Sequence, residues 1–157
     1  MRVLVIEDDD AIRSVVERGL RAEGFDVDTC ADGAEGLWKA LDGGYQAIVL
    51  DLLLPGMNGY SVCTRLREEG DTTPILVLTA KSGEYDQIDL LDSGADDFIT
   101  KPASIAVIAA RLRVLMRRNS ALASNVVLRG DLHYDLGTRE CAVAGEPITL
   151  TSREDQL

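Results

Sequence analysis

Apolar runs and amphipathic segments alternate along most of the chain. Five short runs, rich in Val, Leu and Ile and bounded by turn-forming residues, predict strands. These runs span residues 2–6, 25–30, 48–50, 75–79 and 98–100. Five longer segments repeat their apolar positions at helical spacing and therefore predict helices. They cover residues 11–23, 33–42, 58–69, 84–93 and 104–118.

The apolar positions within these helices indicate which side of each helix faces a core. In the first helix this side holds Ile12, Val15, Val16 and Leu20. In the second helix we expect Leu37 and Leu41 to point inward. In the fifth helix the repeated apolar residues are Ile105, Ile108, Leu112 and Leu115. Each helix is thus expected to pack one side against a sheet.

Strict alternation of strands and helices is typical of a parallel sheet covered by helices on both faces. The second strand is less apolar than the others, which suggests an edge position. We therefore predict an α/β, flavodoxin-like (βα)5 fold with the doubly wound strand order 2-1-3-4-5. In this topology ligands bind beyond the carboxyl ends of the strands, at the switch point between the first and third strands.

The stretch AIVLDLLLPGMNG places one carboxylate, Asp51, between two apolar triplets. An ionised Asp inside a strand buried on both faces would be costly to desolvate, so Asp51 is expected at the strand's end. The other strand ends carry polar residues as well. They are Glu7, Asp8, Thr79 and Lys101. The predicted topology brings all five side chains to one edge of the sheet.

Three carboxylates at one edge would repel each other unless a cation lay among them, and oxygen ligands favour Mg²⁺. A lysine and a hydroxyl nearby could hold phosphoryl oxygens, and Asp51 could act as the nucleophile that accepts a phosphoryl group. Each residue also has an ordinary interpretation. Asp9 or Asp10 could cap a helix, Thr79 could be a simple strand residue, and Lys101 could be a surface lysine. Their joint occurrence at successive strand ends favours the site.

The chain has 157 residues and 46% hydrophobic content, enough for one domain with a packed core and part of another. The early acidic stretch EDDD is unlike a signal peptide, and no apolar run reaches the ~18 residues of a membrane span. We therefore expect a cytoplasmic protein without a membrane partner. The odd number of cysteines, their wide spacing and their apolar surroundings indicate reduced thiols rather than disulfides or zinc ligands.

The formal net charge is −11, so the chain as a whole is repelled by nucleic-acid phosphates. One dense basic cluster lies near the end of the predicted fifth helix. It consists of Arg111, Arg113, Arg117 and Arg118. We favour the interpretation that these cations interact with the C-terminus of a helix. A nucleic-acid contact stays open as the alternative.

The segments VIEDD, VLDLLLPGMNG, LVLTA and GADDFITKP resemble the receiver domain of bacterial two-component response regulators across residues 1–118. The resemblance implies that Glu7 and Asp8 are an acidic metal-binding pair and Asp51 is the phosphoacceptor. It also implies a switch pair, Thr79 and Phe98, and assigns phosphate binding to Lys101. The backbone carbonyl of Leu53 would be a further Mg²⁺ ligand. The phosphoryl donor would be a phosphohistidine on a sensor histidine kinase. Such a chain is not an enzyme acting on a separate substrate, because it catalyses its own phosphorylation and dephosphorylation.

Residues 126–157 resemble the start of the winged-helix DNA-binding domain of the OmpR/PhoB subfamily, after a predicted linker at 119–125. Short strands are expected there, with turns at Leu136-Gly137 and Gly145-Glu146 and a helix opening near Thr149. Because the recognition helix of that domain would lie beyond Leu157, the domain is expected to be truncated. DNA binding and transcription regulation would then require the full-length effector domain. The alternative is a stand-alone or truncated receiver that acts through protein contacts.

Two other classes share single features with this site. Phosphatases of the haloacid dehalogenase type also use an Asp after a strand, but they need a second acid two residues later, where this chain has Leu53. A flavodoxin-like FMN carrier needs a phosphate loop rich in Ser, Thr or Gly after the first strand. The acidic EDDD at that place would repel a phosphate. Both alternatives are therefore disfavoured.

Receivers of the resembled subfamily pair through the fourth helix, fifth strand and fifth helix, so the resemblance makes this face a candidate for homodimer formation. The candidate residues for this face are Ile88, Leu91, Asp96, Asp97, Ile108, Arg111 and Arg113. The chain departs from the subfamily at Gln87 and Val107, where a basic residue and a glutamate are usual. Ala103 also replaces the usual aromatic residue after Lys-Pro. We therefore expect an activated dimer, if one forms, to be weaker or differently arranged than the subfamily's usual form. The alternative is that Val107 merely extends an apolar patch and the usual dimer forms.

Overall fold

The computed structural model describes residues 1–80, 83–123, 126–135 and 140–148. The chain divides into two compact units, Met1–Met116 and Arg117–Leu157. The first unit contains an alternating series of strands and helices. The strands are β1 (Arg2–Ile6), β2 (Asp26–Cys30), β3 (Ala47–Asp51), β4 (Ile75–Thr79) and β5 (Asp97–Thr100). The helices are α1 (Asp10–Ala22), α2 (Gly33–Asp42), α3 (Gly59–Glu68), α4 (Glu84–Asp92) and α5 (Ile105–Ala123), the last of which crosses into the second unit.

The five strands form one parallel sheet in the order β2-β1-β3-β4-β5. This confirms the predicted flavodoxin-like α/β fold. Apolar residues pack on each face of the sheet as two separate clusters, and all five residues of β3 and of β4 are buried. Because β1 lies between β2 and β3, the chain reverses direction across the sheet at β1. The carboxyl ends of β1 and β3 therefore flank the crevice where a ligand can bind.

Side-chain caps fix where three helices begin. The carboxylate of Asp9 accepts hydrogen bonds from the N–H groups of Ala11 and Ile12, both at 2.9 Å. Asp32 caps α2 in the same way, and Asn58 caps α3. Capping satisfies backbone donors that have no partner within the first turn of a helix. The cap at Asp9 also fixes the direction in which the chain leaves the end of β1.

Two inward positions predicted from helical periodicity are wrong. The Val15 side chain is 50% exposed because it lines an apolar groove between α1 and the start of α5, rather than the core. Leu41 is 43% exposed, and the smaller Ala40 is buried in its place at the end of α2. A residue at the border of the apolar side of a helix fits the helical periodicity whether it is buried in the core or exposed at the edge of the core. Periodicity therefore does not distinguish the two cases.

Helix α5 is longer than the sequence pattern predicts. It continues to Ala123, so residues 119–123 of the predicted linker are helical. Ala and Leu in this stretch are strong helix formers, which explains the extension. Arg117 and Arg118 consequently do not lie at a helix C-terminus, and that interpretation of the basic cluster is wrong.

The described part of the second unit contains four short strands. They are β6 (Val126–Arg129), β7 (Leu132–Asp135), β8 (Glu140–Val143) and β9 (Glu146–Ile148), paired antiparallel in chain order. The turn between β8 and β9 is Ala144-Gly145, one residue earlier than predicted, and both residues have positive φ, at 52° and 85°. Two positive φ angles match the twist of a tight hairpin. The predicted turn at Leu136-Gly137 and the predicted helix start near Thr149 lie outside the described residues.

A membrane-spanning helix would need about 20 consecutive, mostly apolar residues. Within the described residues, no helix combines the length and the apolar character needed to cross a lipid bilayer.

Candidate functional site

Four strand ends supply the side chains of the candidate site. Asp51 is the last residue of β3, and Thr79 is the last residue of β4. Glu7 directly follows β1, and Lys101 directly follows β5. Parallel strands end at a common edge, so residues up to 94 positions apart along the chain meet here. The structure therefore brings together the strand-end residues selected from the sequence.

The acidic part of the site is compact. One carboxylate oxygen from each of Glu7, Asp8 and Asp51 lies within 4.8 Å of the others. Glu7 and Asp51 are buried, at 3% and 6% exposure, whereas Asp8 is exposed. Such a group of carboxylate oxygens, open on the Asp8 side, is suited to a hard divalent cation.

Lys101 neutralises part of this negative charge. Its Nζ lies 2.8 Å from Oε2 of Glu7 and 3.4 Å from Oδ1 of Asp51. The backbone N–H of Lys101 donates to the carbonyl oxygen of Thr79 at 2.8 Å, which ties the residue to the end of β4. The peptide bond between Lys101 and Pro102 is cis.

The pKa values of Glu7 and Lys101 both lie above their ordinary values. Burial is the main reason that the pKa of Glu7 is raised, and the nearby Asp51 charge adds to it, while the hydrogen bond from Lys101 opposes it. Burial lowers the pKa of Lys101, but its hydrogen bond to Glu7 and the charge of Asp51 outweigh this and raise the pKa overall. The lysine therefore stays charged at neutral pH and acts as a counter-ion within the site.

The backbone that carries Asp51 is held by a close approach at the start of α3. The N–H of Gly59 donates to the carbonyl oxygen of Leu52 at 2.9 Å. A Cβ at Gly59 would lie only 2.4 Å from the carbonyl oxygen of Asp51 and 2.8 Å from Cα of Leu52. Only glycine allows this contact, so the sequence GMNG fixes the loop after β3 as well as starting a helix. Leu53 lies in this loop with its side chain 65% exposed.

The two residues of the expected switch lie on neighbouring strands. Thr79 is buried at 3% exposure. Phe98, on β5, is half-buried and packs against the core cluster on one face of the sheet. A partly buried aromatic ring one strand away from a buried hydroxyl is a geometry in which the two side chains can move together.

Arg13 is a site-adjacent residue that the sequence analysis missed. It lies in the first turn of α1, and its guanidinium donates to the carbonyl oxygen of Glu7 at 2.8 Å. An arginine a few residues after EDDD is the only signal in the sequence. Helical periodicity alone does not distinguish an arginine that folds back from one that points to solvent.

Several residues expected on a dimer face are engaged within the chain or lie in the core. Asp97 pairs with Arg111 at 2.9 Å, and Arg113 pairs with Glu23 at 2.8 Å. Ile108 is only 1% exposed and belongs to the core, so its assignment to a dimer face is wrong.

The remaining dimer-face candidates lie on α4 and at the start of β5. Asp96 pairs with Arg67 and also accepts a hydrogen bond from the N–H of Ile75. Ile88 and Leu91 are exposed, at 49% and 47%.

The fold and the site together define a doubly wound α/β protein with a cluster of carboxylates at its switch point. The profile of the response regulator receiver domain matches residues 3–113. The transcriptional regulatory protein QseB of Escherichia coli O157:H7 is 41% identical over 157 residues, which is all of this chain and 72% of that protein. The chain therefore belongs to the response regulator receiver family, with relatives that are transcriptional regulators of the OmpR/PhoB type.

Solved structures agree with this assignment. The response regulator DrrB of Thermotoga maritima, an OmpR/PhoB homolog, has a TM-score of 0.67 and 26% identity, covering 99% of this chain and 69% of that one. The receiver domain of the sensor histidine kinase PA1611 of Pseudomonas aeruginosa PAO1 has a TM-score of 0.68 and 32% identity. This match covers 74% of this chain and 97% of that receiver, which has a magnesium ion coordinated in its active-site cleft.

Proposed function

We propose that Asp51 accepts a phosphoryl group in a Mg²⁺-dependent reaction and that this modification controls a DNA-binding output. The observation that carries the proposal is the position of Asp51, a buried carboxylate at the end of a central strand that faces a lysine and two further acids. A carboxylate in this setting can attack a phosphorus atom, and the reaction needs positive charge near the transferred oxygens.

The residues at the site fit a magnesium ion. The donor set consists of the carboxylate oxygens of Glu7, Asp8 and Asp51, all within 4.8 Å of one another. Hard oxygen ligands in this number match the preference of Mg²⁺, which binds through a few carboxylates and keeps some of its waters. We include the backbone carbonyl of Leu53 as a further ligand. A bound Mg²⁺ would supply charge neutralisation for the phosphoryl oxygens.

The other roles in the reaction belong to side chains of the chain itself. Asp51 supplies the nucleophilic oxygen. The phosphorus–nitrogen bond of the phosphohistidine donor breaks as the new phosphorus–oxygen bond to the carboxylate forms, and the histidine imidazole leaves. Lys101, held by Glu7 at 2.8 Å, provides a fixed positive charge beside Asp51. The hydroxyl of Thr79 turns toward the phosphoryl oxygens, and Phe98 turns inward with it. In this scheme the chain is its own catalyst rather than an enzyme for a separate substrate.

The partners follow from the same scheme. The chain acts in the cytoplasm, the donor is a phosphohistidine on a sensor histidine kinase, and the output is DNA binding by the full effector domain of the regulator. The receiver surface that changes on phosphorylation would transmit the signal to that domain. A homodimer through α4, β5 and α5 is one route for the transmission.

Labelling by acetyl phosphate tests the proposal. The wild-type chain should gain one phosphoryl group in the presence of Mg²⁺ and none when the ion is removed by chelation. The isosteric variant Asp51→Asn should gain none under either condition. Asp71→Asn is a matched control, because Asp71 lies after α3 rather than at a carboxyl end of a strand. Labelling of Asp51→Asn at the wild-type level would refute the proposal.

A further inference from the structure

Arg13 reaches from α1 back to the loop that carries the acidic pair. Its Nη1 donates to the carbonyl oxygen of Glu7 at 2.8 Å and makes a longer contact of 3.4 Å with the carbonyl oxygen of Asp8. Its Nη2 forms an ion pair with the carboxylate of Asp10. The Arg13 side chain is only 20% exposed. One guanidinium therefore contacts two residues of the loop after β1, Glu7 and Asp8, and the first residue of α1, Asp10.

The carbonyl group of Glu7 needs a donor of this kind. It lies beyond the end of β1, where the hydrogen-bond ladder of the sheet stops, and Glu7 is almost completely buried. A buried carbonyl without a partner is costly, so the donor must come from a side chain or from water. On its other side, the N–H of Glu7 donates to the carbonyl oxygen of Cys30 at 3.1 Å. The Glu7 backbone is thus fixed from both directions.

The geometry points to Arg13 as a positioning residue for cation binding: by holding the backbone of Glu7 and Asp8, it sets their carboxylates at the spacing that a divalent cation requires. This inference rests on the proposed Mg²⁺ site. Arg13 does not touch the reacting atoms. Groups that orient metal ligands from outside typically change metal affinity by about 10- to 100-fold when they are removed.

A simple electrostatic role predicts the opposite effect. A positive charge close to a cation site repels the cation, so removal of Arg13 would then tighten Mg²⁺ binding. A positioning role predicts weaker Mg²⁺ binding. This should hold even for the Arg13→Lys variant, which keeps the positive charge but lacks the planar guanidinium. Lysine is a point donor and cannot contact two carbonyls and a carboxylate in the fixed geometry of arginine. The direction of the change in the Arg13→Lys variant therefore separates the two roles.

The experiment is a titration of the full chain with MgCl₂, followed by backbone amide NMR shifts at Glu7, Asp8 and Asp51. For Arg13→Lys and Arg13→Gln we expect the Mg²⁺ dissociation constant to rise by about tenfold. The rate of labelling by acetyl phosphate should return toward the wild-type rate when Mg²⁺ is raised in proportion. A purely structural defect would not be rescued by Mg²⁺ in this way.

Arg18→Lys and Arg18→Gln are matched controls on the same helix. Arg18 is exposed and its Nε donates to the carbonyl oxygen of Ser14 within α1, so these variants should keep the wild-type dissociation constant. Unchanged or tighter Mg²⁺ binding by Arg13→Lys would overturn the inference. If Arg13→Gln does not fold, Arg13→Lys still decides. Failure of the wild-type chain to bind Mg²⁺ would instead refute the proposed function, and the inference with it.

Discussion

Nζ of Lys101 lies 2.8 Å from Oε2 of Glu7 and 3.4 Å from Oδ1 of Asp51, so one lysine bridges two buried carboxylates at the centre of the site. The contact with Glu7 is the shorter one. Burial and the neighbouring Asp51 raise the pKa of Glu7, and the Lys101 hydrogen bond counteracts that effect. The lysine that we assign to phosphate binding therefore also offsets part of the cost of burying two carboxyl groups side by side.

Replacement of Lys101 by methionine should destabilise the fold in a pH-dependent way. A folded-state pKa of Glu7 above its ordinary value means that its contribution to stability is present below about 4.5 and lost as the pH rises through the folded pKa. Without Lys101 this pKa rises further, so the loss grows at neutral pH. We expect a cost of about 1–3 kcal/mol at pH 7.5 and a smaller cost at pH 5, measured by urea unfolding.

Lys39→Met is the control for this prediction. Lys39 is also paired, with Glu35 at 2.8 Å, but Glu35 is 50% exposed, so the variant should lose little stability at either pH. Addition of Mg²⁺ should raise the melting temperature of Lys101→Met more than that of the wild type, because the cation replaces the missing charge. Equal destabilisation of Lys101→Met at pH 5 and pH 7.5 would contradict the assigned role of Glu7.

Replacement of Gly59 by alanine should disturb the phosphoacceptor loop. The added Cβ would meet the carbonyl oxygen of Asp51 at 2.4 Å, and because this is backbone the start of α3 has to shift. We expect a loss of about 1–3 kcal/mol in the free energy of unfolding, and slower labelling by acetyl phosphate.

Gly70→Ala is the matched control for the Gly59 variant. Gly70 has a φ of 77°, and a Cβ added there would meet no atom within 4 Å, so alanine strains only the backbone. It should cost about 1 kcal/mol without changing the labelling rate. Similar labelling rates for the two variants, each measured well below its melting temperature, would show that Gly59 does not position Asp51.

The proposed switch between Thr79 and Phe98 can be tested with fluorinated phenylalanine. The chain contains only two phenylalanines, so ¹⁹F NMR gives two signals, from Phe25 and Phe98. Beryllofluoride with Mg²⁺ should shift the Phe98 signal, because phosphoryl mimicry draws Thr79 inward and changes the population of ring positions. Phe25 is buried at 4% exposure on the other core cluster and serves as an internal control.

Thr79→Val removes the hydroxyl but keeps the shape of the side chain. This variant should still bind beryllofluoride, while its Phe98 signal should stay at the unliganded position. A full shift of the Phe98 signal in Thr79→Val would show that the ring responds independently of the hydroxyl.

The activated dimer is expected to be weak. Asp97 and Arg111, which could pair across a dimer, already pair with each other at 2.9 Å within one chain. Gln87 and Val107 lack the charges that the subfamily usually has at these positions. Introducing them as Gln87→Lys with Val107→Glu should tighten the dimer by up to about thirtyfold, because each exposed ion pair contributes ~0–1 kcal/mol and symmetry doubles it to at most ~2 kcal/mol.

Sedimentation velocity with and without beryllofluoride measures this effect. The single variants Gln87→Lys and Val107→Glu are the controls, since each adds a charge without its partner and should not tighten the dimer. A sub-micromolar dimer in the wild type that the double substitution leaves unchanged would rule out the expected weakening.

The sequence alone determined the strand order and the residues at the strand ends. Segments with strand-like and helix-like spacing of apolar residues alternate along residues 1–118, and few sheet topologies are compatible with such alternation. The carboxyl ends of parallel strands lie at one edge of the sheet. Glu7, Asp51, Thr79 and Lys101 could therefore be placed together before any distance was known. The chemistry that we propose for them rests on their residue types and on the resemblance to receiver domains.

Only the tertiary structure decided which partner each of these groups contacts. Lys101 lies closer to Glu7 than to Asp51, and Arg13 folds back onto the loop after β1. Ile108 is buried while Val15 is half exposed, although both occupy apolar helical positions. Periodicity reports the side of a helix on which a residue lies. The depth at which that side is buried depends on how elements distant in sequence pack against it. A local sequence pattern carries no information about that packing.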